Sequence, residues 1–108
     1  GPTFHIIVSD DAMADGAELQ IEVAHLSTQD EVAVMLDGET LGLPRIRDAA
    51  AEDQEDPSDV SENGWLVWPL EQVAPGVCEV RVCLLERDPR IGVPLRIEQV
   101  EIYLQYRH

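Results

Sequence analysis

Residues 73–85 read V-A-P-G-V-C-E-V-R-V-C-L-L and place a Pro-Gly turn directly in front of an alternating stretch. Successive side chains of a β-strand point to opposite faces of the sheet. The apolar face of this stretch carries Cys78, Val80, Val82 and Leu84, and the other face carries charged residues and Cys83. The stretch therefore predicts a β-strand that buries one face.

The same alternation recurs along most of the chain, whereas a helical period is nearly absent. It is found in T-F-H-I-I-V (3–8), E-L-Q-I-E-V-A-H-L (18–26), V-A-V-M-L-D-G-E-T-L-G (32–42), N-G-W-L-V-W-P-L (63–70) and P-L-R-I-E-Q-V-E-I-Y-L-Q-Y (94–106). Alternation of apolar and polar residues is typical of antiparallel strands with one solvated face. The sequence therefore predicts an all-β fold, an antiparallel β-sandwich with about eight strands, one or two of them irregular.

Two local features refine this prediction. Asp37-Gly38 tolerates the positive φ angles of a two-residue turn and predicts a tight hairpin. In the last strand, the apolar residues change from odd positions, ending at Ile97, to even positions, starting at Val100. An extra residue near 98–99 would restore a single inward face, so we expect a β-bulge there.

The periodicity is lost in residues 45–63, which we expect to form one long acidic loop with at most a short helical turn. Seven acidic residues and no basic residue follow Arg47 in this segment. Its D-Q-E-D-P-S-D stretch offers Asp53, Glu55, Asp56 and Asp59 as oxygen ligands for calcium. The spacing matches no EF-hand, and a solvated acidic loop is the alternative.

Composition limits the class of protein. With 108 residues, the chain is long enough for one domain with its own core, and 44% hydrophobic residues exclude global disorder. Twenty-two acidic residues against seven arginines give a net charge of −15, which disfavours nucleic acid and anionic membranes as partners. No apolar run is long enough to span a bilayer and no signal peptide is recognisable. Gly1-Pro2 resembles a tag-cleavage remnant, so residues 3–107 are interpreted as a single module excised from a larger protein.

The two cysteines lie five residues apart on opposite faces of the predicted strand. Their Cα atoms would be ~16 Å apart at a rise of ~3.3 Å per residue, too far for a disulfide between them. No C-x-x-C motif or grouped histidine indicates a metal site, and the acidic surroundings do not favour a thiolate nucleophile. We interpret Cys78 as a core residue and Cys83 as a partly covered surface thiol.

Two strands resemble the signature strands of galactose-binding-like jelly rolls, which are accessory domains of bacterial glycoside hydrolases. The similar segments are V-M-L-D-G-E-T-L-G and V-A-P-G-V-C-E-V-R-V-C-L, and the likeness spans about residues 19–82, with the final strand similar as well. Asp37 and Cys78 stand where the family more often has asparagine. The resemblance implies a non-catalytic antiparallel β-sandwich of jelly-roll type, but it assigns no sugar-contacting residue.

The sequence offers few groups for catalysis and a small set for binding. It contains no G-x-S-x-G, H-E-x-x-H or phosphate-binding glycine motif, so an independent enzyme is not expected. Sugar binding needs exposed aromatic rings beside planar hydrogen-bonding groups. Alternation leaves Trp65 and Tyr103 as the aromatic residues outside the predicted core, and Arg45 and Arg47 flank the acidic segment. The alternatives are packing roles for both rings and carboxylate pairing for both arginines.

We therefore expect a non-catalytic accessory module of a bacterial polysaccharide-active enzyme, secreted or periplasmic, with a polysaccharide or oligosaccharide as its ligand. The alternative is a structural or protein-interaction domain that supports a neighbouring domain of its parent protein and binds no sugar. An exposed Trp65 would favour the first function, and a flat apolar patch would favour the second.

Overall fold

A computed structural model describes residues 2–8, 14–47, 63–71 and 74–106, and these residues form eight β-strands and no helix. The strands are β1 (Thr3–Val8), β2 (Ala14–Ala24), β3 (Glu31–Leu36), β4 (Glu39–Thr40), β5 (Arg45–Arg47), β6 (Gly64–Leu70), β7 (Gly76–Glu86) and β8 (Arg96–Tyr106). Within this part of the chain, no helix could cross a membrane.

The strands form two four-stranded antiparallel sheets. Sheet A has the order β1-β7-β3-β4, and sheet B has the order β5-β6-β2-β8. The predicted all-β sandwich is confirmed, whereas the jelly-roll connectivity is not. Three strands of each sheet, β5-β6-β2 and β7-β3-β4, have the same order as the D-E-B and F-C-C′ strands of immunoglobulin-type sandwiches. In this chain the first strand adjoins β7 and the last strand adjoins β2.

The core lies between the two sheets and follows the predicted alternation. Sheet B contributes odd-numbered residues of β2 and even-numbered residues of β6, and sheet A contributes even-numbered residues of β3 and β7. The buried cluster comprises Leu19, Ile21, Val23, Leu26, Val34, Leu66, Trp68, Val80 and Val82. Because one cluster joins residues of both sheets, the inner faces pack against each other.

The predicted bulge in β8 is confirmed. Glu22 pairs with Gln99, but Val23 pairs with Ile97, so the register skips Glu98. The skipped residue moves the apolar positions of β8 from odd to even numbers. Both halves of the strand therefore present their apolar side chains to the core.

The predicted tight hairpin is also confirmed. Leu36 pairs with Glu39, which leaves Asp37 and Gly38 as a two-residue loop with φ angles of 50° and 85°. Two positive φ angles define a type I′ turn, whose twist matches that of the flanking strands. The Asp37 carboxylate also accepts a hydrogen bond of 2.8 Å from the backbone N–H of Glu79, which ties the turn to β7.

The prediction of one long loop over residues 45–63 is wrong for its first three residues. Arg45, Ile46 and Arg47 belong to β5, paired with Val67, Leu66 and Trp65 of β6, rather than to a loop. The polar-apolar-polar pattern R-I-R is too short to stand out in sequence, and pairing with β6 is what makes it a strand. Residues 48–62 lie outside the described residues, as do Gly1 and the C-terminal residues 107–108.

Both cysteines are free, as predicted. Cys78 is buried and pairs with Ile6, whereas the half-buried Cys83 pairs with Ala33. Burial raises the pKa of the Cys78 thiol, and the nearby negative charge of Asp37 raises it further. A raised pKa keeps this thiol protonated at neutral pH, which agrees with a packing role.

Candidate functional site

The outer face of sheet B brings together all four residues that the sequence analysis selected for binding. Cross-strand partners project to the same side of a sheet, so the register defines rows of neighbouring side chains. Three rows run across the face: Arg47, Trp65, Glu22 and Gln99; then Arg45, Val67, Gln20 and Glu101; then Pro69, Glu18 and Tyr103. We call these three rows the outer face of sheet B.

Trp65 lies near one end of this face and is half-buried. The guanidinium carbon of Arg47 lies 5.3 Å from the centre of its ring, within the range of a cation–π contact. The neighbouring Trp68 points the other way into the core, where its indole N–H donates to the carbonyl of Gly42 at 2.8 Å. Alternation along β6 thus gives one tryptophan to the core and the other to the outer face.

Arg45 reaches across β6 to β2. Its Nη2 atom lies 3.2 Å from Oε2 of Glu18, and the other oxygen of Glu18 accepts a hydrogen bond of 2.5 Å from Gln20. Because Arg45 pairs with Val67 in the register, its side chain crosses over Val67 to reach Glu18. This crossing explains why Val67 is only 4% exposed although it lies on the outer face.

Tyr103 lies on the edge strand β8 and is 45% exposed. Its hydroxyl donates a hydrogen bond to the carboxylate of Glu101, which lies two residues earlier on the same face. Trp65 and Tyr103 are separated by two strand spacings and by four residues along β2, which places their Cα atoms ~16 Å apart. The two rings therefore form separate contact points, not a single stack.

The charges on the outer face of sheet B nearly balance. Two arginines face three glutamates within the three rows, although the whole chain carries a net charge of −15. The remaining polar groups include the planar amides of Gln20 and Gln99. Such a face can exchange hydrogen bonds with a neutral polar ligand and does not strongly attract an ion of either sign.

No group of histidine, cysteine, aspartate and glutamate side chains in the described ranges could hold a metal ion. The four predicted calcium ligands, Asp53, Glu55, Asp56 and Asp59, lie outside those ranges. The calcium site therefore stays a prediction about residues 48–62.

A buried ionic cluster that the sequence analysis missed joins two loops at one end of the sandwich. Asp88 accepts hydrogen bonds from the Ser27 hydroxyl at 2.5 Å and from Nη2 of Arg90 at 2.8 Å. Asp30 accepts hydrogen bonds from Nη1 of Arg87 at 2.5 Å and from the backbone N–H of Asp88 at 2.6 Å. Both aspartate side chains are fully buried.

The electrostatics of this cluster favour the ionised form of the Asp88 carboxylate. The hydrogen bond from Arg90, together with that from Ser27, holds the pKa of Asp88 well below its usual range, although burial opposes this shift. The cluster joins the β2–β3 connection, which contains Asp30, to the β7–β8 connection, which contains Asp88. In sequence, S-T-Q-D (27–30) and R-D-P-R (87–90) resemble ordinary polar turns, and only their complementary charges hint at a contact.

Comparisons with known protein families, with curated protein sequences and with solved structures gave no match to this chain. The resemblance to galactose-binding-like domains therefore stays a prediction.

Proposed function

We propose that this protein is a non-catalytic carbohydrate-binding module that holds a neutral oligosaccharide on the outer face of sheet B. One observation carries the proposal: the register places Trp65, Tyr103, Arg45 and Arg47 together on the outer face of one sheet, with two glutamines. The proposal extends to a role as accessory module of a secreted or periplasmic bacterial polysaccharide-active enzyme.

The chemistry of the surface matches that of a sugar. Pyranose rings have apolar C–H faces that pack on aromatic rings, and polar rims that pair with planar amide, carboxylate and guanidinium groups. Trp65 and Tyr103 provide the rings, and neighbouring side chains such as Gln99 and Glu101 provide the planar partners. The Arg47 guanidinium keeps Trp65 in place and presents donors beside it.

The separation of the two rings sets the size of the ligand. A ligand that contacts both Trp65 and Tyr103 must span ~16 Å, so a monosaccharide can occupy only one contact point. Each aromatic contact adds about 0.5–1.5 kcal/mol beyond simple burial, so affinity should lie in the micromolar to millimolar range. We therefore expect longer oligosaccharides to compete for the site much better than monosaccharides.

The test is affinity electrophoresis and a glycan array with the wild type, Trp65→Ala and Tyr103→Ala. We expect each substitution to weaken binding of neutral polysaccharides about three- to tenfold, because each removes one stacking contact. Ile7→Ala is the matched control, since Ile7 is exposed on the outer face of sheet A. Melting temperatures of all variants show whether any loss of binding follows from unfolding.

Two results would contradict the proposal. Binding that survives both aromatic substitutions would move the site away from the outer face of sheet B. An absence of binding to every neutral and anionic glycan would leave the alternative, a structural or protein-interaction domain.

That alternative is supported by one feature of sheet A. Ile7 and Val77 are cross-strand partners on its outer face and are 82% and 65% exposed. Adjacent exposed aliphatic side chains favour contact with another protein surface. A change of Ile7 and Val77 to threonine would weaken association with a neighbouring domain of the parent protein without affecting sugar binding.

A further inference from the structure

One edge of sheet A has no neighbouring strand over part of its length. β3 runs from Glu31 to Leu36, but the strand at its edge, β4, pairs only with Met35 and Leu36. Within the part of the chain that the structure describes, no strand pairs with residues 31–33 on this side. An edge of this kind presents backbone donors and acceptors with which a further strand can pair. We call residues 31–33 the vacant edge of β3.

The edge is vacant because the chain leaves β3 early. After the hairpin, the N–H of Leu41 still donates to the carbonyl of Val34 at 2.9 Å. The chain then crosses to sheet B, where the carbonyl of Gly42 accepts a hydrogen bond of 2.8 Å from the indole N–H of Trp68. The position beside β3 that the next residues of the hairpin would occupy is therefore left open.

The vacant edge presents both backbone groups of Val32. Along a strand, the N–H and C=O groups of successive residues point alternately to its two sides. The N–H of Asp37, just beyond the end of β3, donates to a carbonyl of β7 at 2.8 Å, whereas the Val34 carbonyl faces Leu41 on the other side. Even-numbered residues of β3 therefore direct their N–H and C=O away from β7, and those of Val32 face the vacant edge.

An apolar cleft of about 500 Å³ lies beside the vacant edge, at the side of the sandwich where β3 and β5 lie. Its volume is within the range of ligand sites, ~300–1,000 Å³. The lining residues lie between Thr28 and Leu85, within the described ranges, and include Val32, Leu41, Leu43, Ile46 and Leu66. Leu43 and Leu85 are 96% and 67% exposed, so apolar side chains of the cleft are accessible to a partner.

Two glutamates stand at one end of the vacant edge. Glu31 and Glu86 are cross-strand partners, and both are exposed. Neither carboxylate forms an ion pair with a basic side chain among the described residues. Like charges directly opposite each other on a sheet are destabilising. A positive charge placed beside Glu31 would therefore be favourable.

We propose that the vacant edge binds an extended peptide, antiparallel to β3, in which an apolar residue is followed by lysine or arginine. The apolar residue exchanges both backbone hydrogen bonds with Val32 and directs its side chain into the cleft, because cross-strand partners share a face. The basic residue then lies opposite Glu31. The net charge of −15 favours such a peptide over a second copy of this chain. This site is independent of the proposed carbohydrate-binding function.

The test compares three acetylated and amidated peptides. They are A-V-K-V-T, the same peptide with glutamate in place of lysine, and A-V-K-V-T with an N-methyl group on the valine before the lysine. Backbone amide NMR titration of the full chain measures the affinity and locates the site. We expect the lysine peptide to bind about tenfold more tightly than the glutamate peptide, because charge-assisted hydrogen bonds are the stronger ones.

The N-methyl peptide separates strand addition from attraction by charge. It keeps the lysine but lacks the N–H that donates to the Val32 carbonyl, so it should bind at least about tenfold more weakly than the parent peptide. The net charge of −15 attracts both peptides equally. An N-methyl peptide that binds as tightly as the parent would overturn the proposal.

Substitutions in the protein assign the contacts. Glu31→Gln should weaken binding of the lysine peptide about fivefold without weakening that of the glutamate peptide. Glu39→Gln is the matched control, because Glu39 is also exposed but does not line the cleft. Leu43→Ser should weaken binding of both peptides, whereas Ile7→Ser, at an 82% exposed position on the outer face of sheet A, should not. Unchanged affinity in Glu31→Gln would contradict the contact with the basic residue.

Hydrogen exchange identifies the occupant. The lysine peptide should slow exchange of the Val32 N–H, whereas the N–H of Ala33, which faces β7, should not change. Unchanged exchange at Val32 in the presence of bound peptide would contradict strand addition. Protection of Val32 without peptide, together with a concentration-dependent dimer in analytical ultracentrifugation, would identify a second copy as the occupant and overturn the proposal.

Discussion

The same pair of residue types, arginine and carboxylate, occurs in two regions of this molecule with different consequences. On the outer face of sheet B, Arg45 is 72% exposed where it meets Glu18. In the buried cluster, the Asp30 and Asp88 side chains are fully buried where they meet Arg87 and Arg90. The exposed arginine can separate from its partner at little cost, whereas the buried aspartates hold two loops together through Ser27 and Arg87.

The difference follows from solvation. An exposed ion pair contributes about 0–1 kcal/mol, because water solvates both charges when they separate. A buried carboxylate that loses its partner costs about 3–5 kcal/mol, because its charge then lies uncompensated in a medium of low polarity. Exposure, not residue type, therefore decides how much a charged group of this protein contributes to stability.

The largest expected effect is that of Asp88→Ala. It removes an acceptor from the buried Ser27 hydroxyl and from the Arg90 guanidinium, and the loss of these hydrogen bonds should lower the free energy of unfolding by about 3 kcal/mol. Urea denaturation measures this loss, with Glu79→Ala, an exposed carboxylate, as the control. A loss below about 1 kcal/mol would show that the buried cluster contributes no more to stability than the exposed ion pairs do, which would contradict the distinction.

The pH dependence of stability should separate the buried carboxylate from the exposed ones. The pKa of Asp88 is lower in the folded protein than in the unfolded chain, so ionised Asp88 stabilises the fold fully above the unfolded value of about 3.9. This contribution is lost as the pH falls below that value towards the folded pKa. Acidification also relieves repulsion within a chain of net charge −15, which acts in the opposite direction.

The variant Asp88→Asn separates the stabilisation by ionised Asp88 from the effect of charge repulsion within the whole chain. The difference in unfolding free energy between the wild type and Asp88→Asn should be constant from pH 7 to about pH 5 and should shrink between about pH 4 and pH 2. Chemical denaturation at each pH measures it. A difference that does not change with pH would show that Asp88 titrates normally in the fold.

The smallest expected effect is that of Arg45→Ala. The exposed pair with Glu18 contributes little, so the loss in unfolding free energy should stay below about 1 kcal/mol and should fall further at high salt. Part of the loss comes from exposing Val67, which Arg45 covers. Thermal unfolding at two salt concentrations measures the loss of stability in Arg45→Ala, with Arg81→Ala as the control. A loss equal to that of Asp88→Ala would refute the distinction between the two regions.

Features that depend on neighbouring residues could be predicted from sequence. The alternation of β7 placed Cys78 and Cys83 on opposite faces, the phase change located the bulge near residues 98–99, and Asp37-Gly38 located the hairpin. These features follow from the two-residue period of a strand and from backbone φ preferences, which each segment carries by itself.

Features that depend on distant partners could not be predicted. Nothing within β1 or β8 specifies that the first strand pairs with β7 and the last with β2. Asp30 and Asp88 are 58 residues apart, and each lies in a turn-like polar stretch, so their burial becomes visible only once the two loops meet. Alternation predicted that Trp65 and Tyr103 point away from the core, but their place on one sheet and their separation required the strand order and the register.

The positions of the first and last strands, β1 beside β7 in one sheet and β8 beside β2 in the other, have a mechanical consequence. β1 runs antiparallel to β7 and β8 runs antiparallel to β2, with Thr3 and Tyr106 directed towards opposite ends of the sandwich. A pulling force applied between these two residues would act along the strand axes, so each ladder would be loaded in shear. All hydrogen bonds of a ladder then share the load at once, whereas a force across the strands would break them one after another.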